Sequence, residues 1–344
     1  LSGRILTPAA FDRCPAEACG HRVEAFDADR PHEWVQGNAL RSGEPVWIPR
    51  EFVYYSENPS FERWALGTSS GCATGSSVAE ATVFGLLEHI ERDTFVNSWY
   101  GAIPAVAVDP GSVPGVADML ARVSLLGWRV ELGLLRNVWH IPVFVAAIDT
   151  GTVRAYGAAA HLDLNGAAER ALTEAVTYAP GRMSEVAEKA DRVRALIRDP
   201  REAQNIDDHP LLPVAGGRSE YAYLYADPAC AVPIDVVRAA AEGGSAILQR
   251  AGASGGRVVA AALRDELVAT IERDGIETFS VNQSAPFQHR LGLSTVMTLA
   301  PGLSQLDFGW SSQRVRTSRR PLEQRKLVTG DDAGEVRDLP HPFS

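Results

Sequence analysis

The segment from Gly67 to Asp93, GTSSGCATGSSVAEATVFGLLEHIERD, restricts this chain more than any other: a Gly- and Ser-rich loop runs into an amphipathic helix carrying Glu80, Glu88, Glu91 and Arg92. At about 100° per residue, Glu80 and Glu91 come nearly into register, with Glu88 within about 80° of them. Three carboxylates then share one face, with Val83, Phe84, Leu87 and Ile90 in or beside the same arc. Like charges at this spacing repel, so the face calls for a cation. Mg2+ is a hard ion that takes carboxylate and phosphate oxygens together. The loop ahead of the helix is suited to the phosphates, because unpaired N–H groups at a helix start attract anions. The plainer reading of the same residues places Glu88 and Glu91 on a solvated flank, paired with Arg92 or other basic groups.

A chain of 344 residues can bury a large core, as one big domain or two smaller ones. With 45% hydrophobic and 22% charged residues it reads as folded and loop-rich, not disordered. A formal net charge of -10 argues against general affinity for nucleic acid or an anionic membrane. No opening stretch reads as a signal peptide and no apolar run reaches membrane-spanning length, so a cytoplasmic location is expected. The first residue is Leu1, not Met, so the true amino terminus is expected to have been removed or to lie outside this stretch. Cys14 and Cys19 have no second pair at metal-ligand spacing, so neither a structural zinc nor a disulfide framework is expected. Cys72 has no recognisable partner motif and reads as a small buried thiol.

The order of elements points to an α+β fold. Pro45 to Tyr55 reads as extended, a helix spans about Ser77 to Trp99, and another ends before Gly127. Trp128–Arg136, Ile141–Asp149 and the piece TVRAYGAAA follow as three strands, and a helix starts at Asn165. A charged, proline-broken stretch from Glu185 to Pro213 comes next, then a helix ending at Gly275, a strand IETFSV, a loop and a strand LSTVMTLA. This is a sheet with helices on one side, not regular βαβ winding. Neither a dinucleotide fingerprint nor a P-loop occurs, so a nucleotide would be held by other means. The closing PHPFS reads as rigid and extended, either free or docked on the body.

A second acidic group lies on the helix after HLDLN. Arg170 and Glu174 are four apart and share a face, which fits an ordinary ion pair. The functional reading sets Glu174 against Glu88 and Glu91, completing a cation site from two helices. His161 reads as the cap of a strand end. Phe308 and Trp310 read as core, and Arg314 as a phosphate or entrance residue.

Five stretches, taken in order, resemble the YcaO superfamily, and in particular its azoline-forming cyclodehydratases, which modify ribosomally made precursor peptides. They are Ser69 to Asp93, Asn97 to Pro110, Gly157 to Ala175, Leu291 to Trp310 and the closing PHPFS. The resemblance implies an α+β fold of β-sheets flanked by helices, with a non-P-loop ATP site. It implies ATP and Mg2+ as cofactors, held by Ser76, Glu80, Glu88, Glu91, Arg92 and Glu174, the four glutamates as metal ligands. Arg92 falls on a phosphate-contacting arginine, and the tail ending in Ser344 resembles one that reaches the active site to position or deprotonate substrate; both are catalytic candidates. The implied reaction is cyclodehydration of Cys, Ser or Thr to thiazoline or oxazoline by phosphorylation of the backbone amide oxygen. Thioamide or amidine formation is the enzymatic alternative, and a peptide-binding scaffold without turnover is the other. The implied division is 1–66 as a connecting region, 67–327 as catalytic core and 328–344 as tail. An E1-like, leader-binding partner protein and a homodimer or larger complex are implied with the precursor peptide. Three departures stand out: no glycine-lysine-glycine loop precedes Gly67, Ser76 stands where Asn is usual, and AVTYAPGR after Glu174 lacks the family's Gln and Arg. The tail also ends in Ser344 where Pro is usual.

Overall fold

The computed structural model describes residues 3–7, 11, 26–27, 29–54, 67–221, 228–252, 259–332 and 334–343. In chain order come β1 (Arg4–Ile5), β2 (Trp34–Ala39), β3 (Pro45–Pro49), β4 (Cys72–Gly75) and helix α1 (Val78–Tyr100). Next are β5 (Val106–Val108), α2 (Ala117–Leu125), β6 (Arg129–Leu135), β7 (Val143–Asp149), β8 (Arg154–Ala160), α3 (Leu164–Glu188) and α4 (Ala190–Arg198). The order closes with α5 (Glu242–Arg250), α6 (Ala260–Glu272), β9 (Phe279–Asn282), α7 (Pro286–Arg290), β10 (Ser294–Leu299) and α8 (Arg320–Thr329). They divide into two compact units, one of Leu1–Asp93 with Ala246–Asp307, the other of Thr94–Ser245 with Phe308–Ser344.

The first unit holds a six-stranded sheet in the order β1-β3-β2-β9-β10-β4. Its pairs are antiparallel except β1 with β3, so the α+β reading holds and βαβ winding is absent from it. The sheet covers a core of Val46, Ile48, Phe52, Val53, Phe279, Val281, Met297 and Leu299. The extended reading of Pro45 to Tyr55 is right only to Pro49, after which residues 50–52 make a 3-10 turn; Tyr55 lies outside the described residues, as do Cys14 and Cys19.

In the second unit β5-β6-β7-β8 form a four-stranded antiparallel sheet. Period-two alternation puts Leu132, Leu134, Phe144, Ala146, Ile148, Ala155 and Ala159 into one core with the Ala167, Ala171, Ala175 and Ala179 stripe of α3. That stripe of small residues allows a close approach: a Cβ on Gly157 would lie 2.5 Å from Ala171 O and Ala175 N. Asp163 caps α3 by accepting from Gly166 N at 2.8 Å. His161 closes the end of β8, its Nδ1 accepting from Asp163 N at 3.0 Å.

The tail docks within the second unit, and His341 and Phe343 are buried there. Trp99 Nε1 donates to Leu339 O at 3.0 Å and Tyr221 OH to Pro340 O at 2.9 Å. His209 Nδ1 donates to His341 O, completing a run of three successive tail carbonyls each met by a side-chain donor. Prolines at 340 and 342 leave two fewer N–H groups to satisfy, which suits an extended buried segment.

Candidate functional site

The site is built from the start of α1. After β4, Ser77 Oγ accepts from Glu80 N at 3.2 Å. Glu80 Oε2 reaches back to Ser76, accepting from its N at 2.6 Å and its Oγ at 2.7 Å. This is a variant of the capping box, with the returning carboxylate one residue further back than usual. The Ser76 side-chain and backbone hydrogen bonds hold the Glu80 carboxyl below its ordinary 4.5. Sequence reading put Glu80 among cation ligands; in the structure its Oε2 ties down the helix entrance.

Two turns on, Glu88, Glu91 and Arg92 come together on the part of α1 that belongs to the first unit. Arg92 Nη2 lies 3.7 Å from Glu88 Oε1, and Arg92 Nε lies 3.9 Å from Glu91 Oε1. Their side chains are 27%, 14% and 18% exposed for Glu88, Glu91 and Arg92. These values make the group partly shielded, and its two contacts are the Arg92 pairing that the plainer reading expects. Two carboxylates face one guanidinium in a partly shielded place, and the donor set is all hard oxygen, which fits a divalent cation bridged to phosphate. Among the described residues, no three His, Cys, Asp or Glu side chains already stand at metal-holding distances.

The loop ahead of β4 completes the setting. Gly71, at φ +91°, donates its N–H to Glu88 Oε2 at 3.0 Å. Its neighbour Cys72 is exposed, not the buried thiol that composition suggests, because the residue sits at the end of the edge strand β4. Partial shielding of its thiol and then the Glu88 carboxylate raise the thiol's pKa, which is the wrong direction for a nucleophile.

Glu174 belongs to the second unit, on α3, where its Oε2 accepts from Ala158 N of the edge strand β8 at 2.8 Å. Ser344 lies outside the described residues. Sequence reasoning missed Gly71, His89 and Thr298, which hold the loop against α1. Thr298 N donates to Gly71 O at 2.8 Å, and His89 bonds Thr298 O through Nε2 at 2.9 Å. Contacts between a loop and a strand some 227 residues apart leave no local spacing signal.

A family model described as YcaO cyclodehydratase, ATP- and Mg2+-binding, matches residues 1–304. An uncharacterized protein encoded in the tfuA 3′ region of Rhizobium leguminosarum bv. trifolii is 29% identical over 181 residues, 47% of this chain and 41% of that protein. A heterocyclase solved in complex with substrate and cofactor superposes with a TM-score of 0.69 at 20% identity, over 98% of this chain and 44% of that one. The YcaO protein of Methanopyrus kandleri, solved with AMPPCP and Mg2+, gives a TM-score of 0.59 at 22% identity, over 89% of this chain and 69% of that one. The chain thus spans less than half the length of the Rhizobium relative and of the heterocyclase, and the structural likenesses concern the fold.

Proposed function

The chain belongs to the YcaO family, and on that premise we propose that it uses ATP and Mg2+ to activate a backbone amide of a ribosomally made precursor peptide. The observation that carries this reading is the partly shielded Glu88, Glu91 and Arg92 group on α1, inside the stretch that the family model matches. An amide oxygen is a poor leaving group, and a phosphoryl group on it makes a good one. ATP supplies that group, and Mg2+ neutralises the charge gathering on it. On this chain, Glu88 and Glu91 would hold the cation, and Arg92 would donate charge-assisted hydrogen bonds to phosphate oxygens. By the family resemblance, Ser76 and Glu80 would contact the bound nucleotide, Glu80 and Glu174 would add carboxylates for the cation, and Ser344 would act as a catalytic group.

The balance of the reaction is simple. A nucleophile adds to the amide carbon, the oxygen takes the γ-phosphoryl group, and the C–O bond breaks with release of inorganic phosphate. With a Cys, Ser or Thr of the peptide as nucleophile, a thiazoline or oxazoline forms and one water is lost overall. With external sulfide, oxygen is exchanged for sulfur and a thioamide results; an amine gives an amidine. The activation step is common to these branches, and the nucleophile alone separates their products. A leader-binding, E1-like partner and a dimeric or larger assembly complete the proposal.

The test incubates the chain with precursor, partner and Mg-ATP, with and without sulfide, and follows phosphate release and peptide mass. Glu91→Ala is expected to abolish both signals, and sulfide dependence separates thioamide from ring formation. Undiminished turnover in Glu91→Ala, or a wild-type chain that neither consumes ATP nor alters the peptide, contradicts the reading.

A further inference from the structure

We propose that Thr298, together with His89, is a positioning residue that acts through Gly71 to fix how the Glu88 carboxylate is turned toward a bound cation. The inference rests on the reading of Glu88 as a cation ligand.

Three segments of the first unit close a ring of hydrogen bonds. Gly71 in the loop before β4 donates its N–H to Glu88 Oε2 at 3.0 Å. The Gly71 carbonyl accepts twice from Thr298 on β10, from its N at 2.8 Å and its Oγ1 at 3.0 Å. The Thr298 carbonyl in turn accepts from His89 Nε2 at 2.9 Å, and His89 follows Glu88 on α1. A carbonyl oxygen only accepts, so the His89 proton sits on Nε2. Thr298 and His89 are 0% and 2% exposed, so water does not compete for these bonds.

The space around the ring is filled. A Cβ on Gly71 would lie 2.3 Å from His89 Nε2 and 2.5 Å from Thr298 O. A Cβ on Gly85, one turn before Glu88, would lie 2.6 Å from both Gly71 O and Thr298 Oγ1. The Gly71 peptide therefore has one orientation, and its N–H points at one place. A glutamate's terminal torsion is otherwise broad, so the plane of its carboxylate turns freely. The fixed N–H holds one carboxylate oxygen and so sets that plane, leaving the other oxygen on the side of Arg92. Any residue but proline at 298 would supply the main-chain donor to Gly71 O. The hydroxyl adds the second donor, which stops that peptide from tilting.

Isothermal calorimetry of a non-hydrolysable ATP analogue, titrated across Mg2+ concentrations, tests this in the intact chain. Thr298→Val keeps the shape and removes the hydroxyl, Thr298→Ser restores it, and Glu88→Ala reports on the ligand itself. Thr298→Val is expected to weaken the Mg2+-dependent part of binding by roughly threefold to tenfold, the effect of one hydrogen bond. Thr298→Ser should bind within about twofold of wild type, since it keeps that bond. Affinity without Mg2+ should be equal in the wild type, Thr298→Val and Thr298→Ser. Wild-type Mg2+ dependence in Thr298→Val, with Glu88→Ala impaired, overturns the positioning role alone. Unchanged Mg2+ dependence in Glu88→Ala overturns the ligand reading and this inference with it. Should Thr298→Val fail to fold, His89→Leu against His89→Gln supplies the same comparison, the amide of Gln retaining a donor for Thr298 O.

Discussion

Ser77 and Glu80 show how one residue type can serve two readings. Spacing along α1 sets Glu80 in register with Glu91, and that geometry alone suggests a shared cation. Ser77-x-x-Glu80 is also a helix-start signature, and in the folded chain the Ser76 and Ser77 contacts use it as one. The cap should carry measurable stability. Ser77→Ala is expected to cost about 1 kcal/mol in urea unfolding at neutral pH. The lost acceptor leaves Glu80 N without its bond at the first turn. A cost below a few tenths of a kcal/mol would mean that water replaces the hydroxyl without penalty. Glu88, Glu91 and Arg92 were legible at this scale, because an i, i+3, i+4 pattern needs only a helix to bring it together. Gly71 and Thr298 were not, since their meeting depends on β4 and β10 pairing across the length of the chain.

At the scale of elements, legibility followed locality. β6, β7 and β8 are consecutive runs of Val, Leu, Ile and Ala joined by short connections, and each was readable where it lies. α3 was readable at its start but not at its end. It continues through Pro180 to Glu188, with Pro180 exposed, so the proline ring and its missing N–H face water instead of a packed neighbour. The six-stranded sheet was not readable as such, because β2 and β9 come from opposite ends of the chain. The closing PHPFS left two readings open, free or docked, and its burial settles the matter in favour of docking. Phe343 is 2% exposed, with its ring 4.6 Å from that of Phe95. Phe343→Ala should therefore cost about 3–5 kcal/mol, the range for an aromatic side chain removed from a packed core. Thermal or urea unfolding measures it. A loss under about 1 kcal/mol would show that the tail can leave its seat with little consequence.

For the molecule as a whole, the response to acid begins with histidines. Burial is the main cause that pushes His89, His161 and His209 below the ordinary imidazole value of 6.5, His209 to about 4. His209 is fully buried against Phe308 and His341, and its Nε2 accepts from Gly309 N at 2.9 Å. A proton on that nitrogen would set two donors face to face. Asp208 favours the charged ring, but it is already paired with Arg192 at 2.7 Å. Between about pH 6.5 and 4 the unfolded chain therefore binds more protons than the folded one, and stability falls as pH falls through that window. His209 alone accounts for up to about 3 kcal/mol of this, at about 1.4 kcal/mol per pKa unit. Carboxyls held low in the fold, such as Asp149, Asp208 and Glu277, lose their contribution only at more acid pH, as it drops through their folded values. The urea midpoint of the wild-type chain should accordingly drop between pH 7 and pH 5, before most carboxyls titrate. His209→Gln keeps an acceptor for Gly309 N and removes the titrating ring. It should be less stable at pH 7, having given up the bond to His341 O, yet show a shallower decline toward pH 5. An equally steep decline in this variant would place the acid sensitivity in other groups and leave His209 without the role assigned to it.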